Sequence, residues 1–171
     1  MTVTLRTLDE PMLVALLDAA VAGAEPAEVM PPVSGAAGWS DAARAAFLTF
    51  HRRRSVGAVV PVERTWAILE DDGGGETVVG AGRLEPVPDG LEVGIWLARG
   101  ARGRGVGRAA VRELVALAGG RPVIAATTDD NAAAVAVLRG LGAVLVESEG
   151  AVHAVLPGGR VPEGAAPFAG R

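Results

Sequence analysis

The order of elements legible in the chain predicts an α+β (mixed α/β) fold, a mixed sheet with helices packed on it. Three observations carry this. An alternating opening stretch is followed by two helical patterns. Three short strand-like runs then follow one another across turn clusters, as in an antiparallel meander. After them a glycine- and arginine-rich segment switches the pattern to helix, strand, helix and a closing hairpin. With 171 residues, half of them hydrophobic, the chain can bury one real core and has little room for a second domain.

Residues 2–6 alternate and read as a strand. Asp9, Glu10 and Pro11 form a helix-start signal, and Met12, Leu13, Leu16, Leu17 and Val21 recur at helical spacing behind it. The stretch 23–38 holds three prolines and several glycines and reads as a loop. Ser40 and Asp41 can cap a second helix running to about Arg54, with Phe47 and Phe50 on it. The meander comprises 65–69, 77–84 and 91–97, with turns at 71–75 and 86–90. Beyond it, Ala110, Val111, Leu114, Val115 and Ala118 mark one face of a helix that Gly119 and Gly120 end. A short strand at 123–127, a helix from about Ala132 to Leu141 headed by Asp129 or Asp130, and strands at 143–147 and 151–156 complete the order. The segment after Pro157, rich in Pro, Gly and Ala, is expected to lack regular structure.

Composition removes several function classes. The chain has no cysteine, which excludes disulfides, thiolate metal sites and cysteine nucleophiles. His51 and His153 are its two histidines and lie far apart, so no metal is expected. The net charge is −4 with a pI near 5.2, against the basic patch of a nucleic-acid binder. Arg52, Arg53 and Arg54 form the one dense basic run and read as the solvated end of a helix. The start lacks a signal-peptide pattern and no apolar run reaches the roughly 18 residues of a membrane span. The expectation is a cytoplasmic protein with no membrane and no nucleic-acid partner.

The most informative stretch is Arg99-Gly100-Ala101-Arg102-Gly103-Arg104-Gly105-Val106-Gly107. It follows a strand and opens a helix. The first N–H groups of a helix lack internal partners and sit at the positive end of its dipole. Glycines let the backbone approach a ligand closely, and Arg102 and Arg104 can add charge-assisted contacts. The result is an anion site suited to a pyrophosphate. Three readings compete: a tight turn with solvated arginines; a dinucleotide fold, since Gly105-x-Gly107-x-x-Ala110 fits that pattern with Asp129 downstream; and a third that rests on a resemblance.

Arg102-x-x-Gly105-x-Gly107 resembles the R/Q-x-x-G-x-G/A signature of the GNAT superfamily of N-acetyltransferases. Leu91-Glu92-Val93-Gly94-Ile95-Trp96-Leu97 is similar to a strand of the branch holding the ribosomal-protein N-terminal acetyltransferases. Asn131-x-x-Ala134 with Leu138 and Leu141-Gly142 resembles a third motif of the same superfamily. The ordered match spans 91–142. It implies a central mixed, largely antiparallel sheet with helices on both faces, and acetyl-CoA as co-substrate without a metal. By the resemblance, Gly103, Arg104, Gly105, Val106 and Gly107 hold the pyrophosphate with Arg102. Backbone groups at Leu97 and Ala98 bond the pantetheine, and Asn131 contacts it or caps a helix. Glu92 matches the position that often carries the base removing the amine's proton. Alternation puts Glu92, Gly94 and Trp96 on one face of their strand. Glu63 and Glu70 are weaker candidates and read as surface charges.

Two departures stand out. Leu138 occupies the place of a tyrosine that protonates the leaving thiolate, and the chain has no tyrosine at all. The thiolate would then take its proton from solvent or from the amine. Ala143 replaces the aromatic after the late glycine.

The resemblance divides the chain into acceptor-binding helices (1–60), meander (61–98), acetyl-CoA-binding half (99–156) and tail (157–171). Glu28, Met30, Trp39, Phe50 and Trp96 are the expected acceptor contacts, with Trp39 also fitting a loop anchor and His51 a surface or capping residue. The acidic balance favours a small cationic amine, such as a polyamine or an aminoglycoside-type antibiotic. A protein's N-terminal amine and a non-catalytic acyl-CoA-binding module remain alternatives. The final hairpin and tail are compatible with a homodimer.

Overall fold

The computed structural model describes residues 1–33 and 38–157; the expectation for the segment after Pro157 lies outside them. Their elements run β1 (Thr2–Thr7), α1 (Glu10–Gly23), α2 (Pro26–Val29), α3 (Asp41–Arg54), β2 (Arg64–Asp71), β3 (Glu76–Val87) and β4 (Gly90–Leu97). A single 3-10 turn (Arg99–Ala101) leads to α4 (Val106–Leu117), β5 (Val123–Thr128), α5 (Ala132–Gly140), β6 (Val144–Ser148) and β7 (Ala151–Val155). One sheet of order β1-β2-β3-β4-β5-β7-β6 joins them. Every pairing is antiparallel except β4–β5. The fold is the expected mixed, largely antiparallel sheet with helices on both faces.

Two elements differ from the sequence reading. The proline-rich loop after α1 contains the one-turn helix α2. Pro26 at its start needs no N–H, and Glu25 and Glu28 cap it reciprocally. Strand β3 runs past Leu84 through Pro86 to Val87 instead of turning at Pro86. The β2 register ends at Arg64↔Leu84 while β3 continues against β4 as Pro86↔Leu91. A proline fits there because one side of the strand needs no donor.

The register separates the faces. Ala67, Ala81 and Trp96 share a row and pack beneath α1 and α3 in a core with Leu13, Leu16 and Phe47. Leu91 and Val93 turn the other way, onto Val111 and Leu114 of α4 and Leu138 of α5. Ile95 and Leu97 pack on that same side, against Val106 and Ala110. The row Glu92, Ile124, Val155, Val144 continues the first face beyond those helices, where Val144 and Val146 are exposed.

Phe47 is fully buried and stacks edge-on with Trp39, His51 and Trp96. Phe47→Ala is expected to destabilise the fold by about 3–5 kcal/mol in urea unfolding. Val144→Ser on the open face should cost no more than about 0.5 kcal/mol.

Candidate active site

The segment after β4 is pinned at two points and free between them. Ala101 and Val106 are buried against Ile68, Val79 and Ala110, whereas Arg102, Gly103, Arg104 and Gly105 are exposed. Gly103 and Gly105 have φ of +74° and +88°, a region costly to side-chain-bearing residues. Gly105 is also the N-cap of α4, and no side chain among the described residues caps that helix. By contrast α1, α3 and α5 are capped by Asp9, Ser40 and Asn131. The first turn of α4 has no acidic residue. Its leading N–H groups therefore have no side-chain partner among the described residues, at the positive end of a twelve-residue helix.

The sheet opens beside this loop. The β4–β5 register pairs Leu91 with Val123 and Glu92 with Ile124. Val93 to Leu97 carry no pairing with β5. The Ala98 N–H bonds the Val79 carbonyl on the β3 side, while the Leu91 N–H bonds the Pro122 carbonyl on the β5 side. Alternation between these two anchors turns the backbone groups of Val93, Ile95 and Leu97 into the split. The Leu97 carbonyl there accepts the Nε–H of Arg102 at 2.9 Å. A glycine-rich loop with an uncapped helix start thus stands at the wide end of a split lined with backbone donors and acceptors. These residues fit an elongated thioester with a pyrophosphate at one end. Among the described residues no cluster of His, Asp and Glu could hold a metal ion.

The loop arginines are engaged from the other side. Arg102 pairs with Glu28 at 2.9 Å. Arg99 reaches the same carboxylate at 3.1 Å. Arg104 bonds Glu70 of β2, which is buried, and the second Glu70 oxygen has no partner among the described residues. Glu70 is therefore not the surface charge the sequence suggested.

A cavity of about 240 Å³ lies on the α1–α3 side, walled by Glu28, Phe50, His51, Glu63, Arg83 and Trp96 among others. Of the expected acceptor contacts, Glu28, Phe50 and Trp96 line it. Met30 is buried in the core beneath α1, and Trp39 packs against that core with its indole N–H on the Ala24 carbonyl at 2.7 Å. Asn131 heads α5, its side-chain oxygen accepting the Ala134 N–H at 3.1 Å.

A five-residue ion network reaches the cavity through Glu63 and Arg83. Arg54 spans Glu63 and Glu85, each at 2.8 Å. Arg83 reaches Glu85 and, at 2.8 Å, Glu92. Its side chain lies over Gly94, where an added Cβ would come within 2.9 Å of the Arg83 Nε. Glu63 is 2% exposed and also accepts the Thr65 hydroxyl at 3.2 Å. Sequence reasoning missed this network: Glu63 reads as a surface charge and Arg54 as solvated. A basic run ending a helix carries no mark of which arginine turns inward. Glu92 itself borders a second hollow of about 230 Å³, with Ile124, Ala126 and His153.

His51 is 3% exposed, and neither ring nitrogen has a partner among the described residues. Burial, reinforced by the charge of Arg54, pulls its pKa from 6.5 down to about 4. It is a buried neutral imidazole, not the surface or capping residue expected.

The chain matches the family model described as an acetyltransferase (GNAT) domain over residues 3–144. No sequence among the curated proteins matches it. Solved structures share the fold. The ribosomal-protein-S18-alanine N-acetyltransferase from Escherichia coli superposes with a TM-score of 0.60 at 17% identity, covering 96% of this chain and 99% of that one. For the spermidine/spermine N-acetyltransferase of Vibrio cholerae the values are 0.59 and 15%, over 90% and 91%. For a Campylobacter jejuni N-acetyltransferase in complex with acetyl coenzyme A they are 0.57 and 10%, over 91% and 98%.

The buried imidazole gives a pH dependence of known sign. The unfolded ring protonates near 6.5 and the folded one only near 4. Its stabilising effect is complete above about pH 6.5 and falls away as pH drops towards 4, by roughly 3–4 kcal/mol at most, at 1.4 kcal/mol per unit. In urea unfolding, the wild type should lose stability across that window and His51→Phe should lose less. Parallel profiles would contradict the assignment.

Proposed function

This chain belongs to the acetyltransferase (GNAT) domain family and is an acetyl-CoA-dependent N-acetyltransferase, and from that premise we propose that it acetylates a primary amine of a small cationic molecule. The observation that carries this is the carboxylate-rich cavity beside the β4–β5 split. Glu28 and Glu63 line it with one guanidinium, that of Arg83, leaving one negative charge over, and ion pairs through Arg54 and Arg83 tie Glu63 to Glu85 and Glu92 behind the wall. A cavity of about 240 Å³ suits a polyamine or one amino-sugar ring of an aminoglycoside.

When bound, acetyl-CoA supplies an acetyl group on a thioester whose carbonyl carbon accepts the amine nitrogen while its sulfur leaves. The N–H groups of Gly103 to Gly107 and the guanidinium of Arg102 hold the pyrophosphate. Backbone groups of Val93, Ile95, Leu97 and Ala98 align the pantetheine, and one N–H there polarises the carbonyl. Asn131 borders this half of the site at the head of α5. Glu92, at the vertex of the split, takes the proton the ammonium must lose, directly or through a water. Arg83 fixes the direction of its carboxylate. Without a tyrosine in the chain, the thiolate takes its proton from solvent or from the amine.

A second reading, acetylation of a protein's N-terminal amine, draws on the Glu92-x-Gly94-x-Trp96 strand. A screen that follows free thiol release separates the two: polyamines and aminoglycosides in one set, short peptides in the other. The first set should turn over and the second should not. Glu92→Gln is expected to lower kcat by about 10²–10⁴-fold. Acetyl-CoA binding with no turnover of any amine would instead identify a non-catalytic acyl-CoA-binding module. A homodimer through the exposed β6 edge is the expected assembly, checked by light scattering.

A further inference from the structure

Glu28 stands between the two ligand sites. Glu28 is one of the residues lining the acceptor cavity. One of its oxygens accepts from Arg102 at 2.9 Å. The other accepts from Arg99 at 3.1 Å and from the Glu25 N–H at 2.6 Å. One carboxylate thus pairs with both guanidinium groups flanking the exposed loop, Arg99 also reaching Glu25 at 3.4 Å. The three side chains are 34%, 42% and 55% exposed. Ion pairs this exposed are weak and exchange readily. A pyrophosphate brings more charge, offers paired oxygens to a guanidinium and is met by the uncapped N–H groups of α4.

Building on the loop assignment proposed above, we infer that Glu28 competes with the pyrophosphate of acetyl-CoA for Arg102 and Arg99, and so determines when the acceptor cavity presents an unpaired carboxylate. In the empty enzyme Glu28 is the stand-in anion of the loop. Once the pyrophosphate takes the two arginines, Glu28 loses its counter-ions but not its place, because the Glu25 N–H still holds it. The carboxylate left on the cavity wall then attracts the acceptor's ammonium. Glu28 is therefore a specificity-determining residue that ties amine recognition to prior loading of the cofactor. Competition of this kind also gives Glu28 a cost: cofactor affinity is lower with it than without its charge.

That cost is what an experiment reads. Glu28→Gln removes the charge and keeps an oxygen for the Glu25 N–H, so α2 remains capped. Titration calorimetry with coenzyme A should show the variant binding about two- to fivefold more tightly than the wild type. In an Arg102→Gln background most of that gain should vanish, because the competed-for group is gone. Equal or weaker binding by Glu28→Gln overturns the inference and makes Glu28 a residue that positions Arg102. A gain that persists undiminished without Arg102 also overturns it, since the effect is then a general change of charge. Failure of the wild type to bind coenzyme A at all is a different result, and it strikes the loop assignment itself.

Discussion

The N-terminus of α4 is the constraint around which the rest is arranged. A helix start without a side-chain cap leaves N–H donors unsatisfied, and capping residues are typically worth about 1 kcal/mol. This chain uses such caps on α1, α3 and α5 and omits one on α4. The omission is localised by packing. Ala101 and Val106 are sunk in the core on either side of four exposed residues, so the loop is anchored at both ends. Ordering such a loop in advance lowers the entropic cost of ligand binding. The left-handed glycines and the split sheet extend this arrangement of open backbone groups along β4.

The cavity on the α1–α3 side is governed by electrostatics in a confined space. Breaking a buried ion pair leaves an uncompensated charge, at a cost of about 3–5 kcal/mol. Glu63 escapes that cost through Arg54 and Thr65, and the surrounding pairs pass the charge along to Arg83 and Glu92. The network thereby couples the end of α3 to strands β3 and β4, and it fixes the carboxylate at the vertex of the split. The helices thus act less as a lid than as a frame for ionised groups.

Much of the fold is legible in the sequence because local chemistry and tertiary packing agree. Asp9 before Glu10-Pro11 and Ser40 before Asp41 each start a helix where they predict one. Alternation in β4 sends Trp96 and Val93 to opposite cores. The turn at Glu149 and Gly150, both with positive φ, joins the last two strands as the pattern indicates. Burial of charge is where local reading fails. Glu63, Glu70 and His51 look like surface residues because nothing next to them in the chain reveals their surroundings. What buries them is completed by other segments: Arg83 joins Arg54 and Thr65 at Glu63, Arg104 reaches Glu70, and Trp96 shares a cavity with His51 beside its helix neighbours Phe47 and Phe50. The role of Glu28 is hidden for the same reason, since Arg102 lies 74 positions away.

The central claim is that the α4 N-terminus and the opened edge of β4 receive acetyl-CoA. Residue-resolved amide hydrogen exchange, with and without saturating acetyl-CoA, tests it most directly. Protection should rise at Gly103 to Gly107 and along Val93, Ile95 and Leu97, with little change in β1 or β6. Protection confined to other segments, or no change at saturation, would contradict the account.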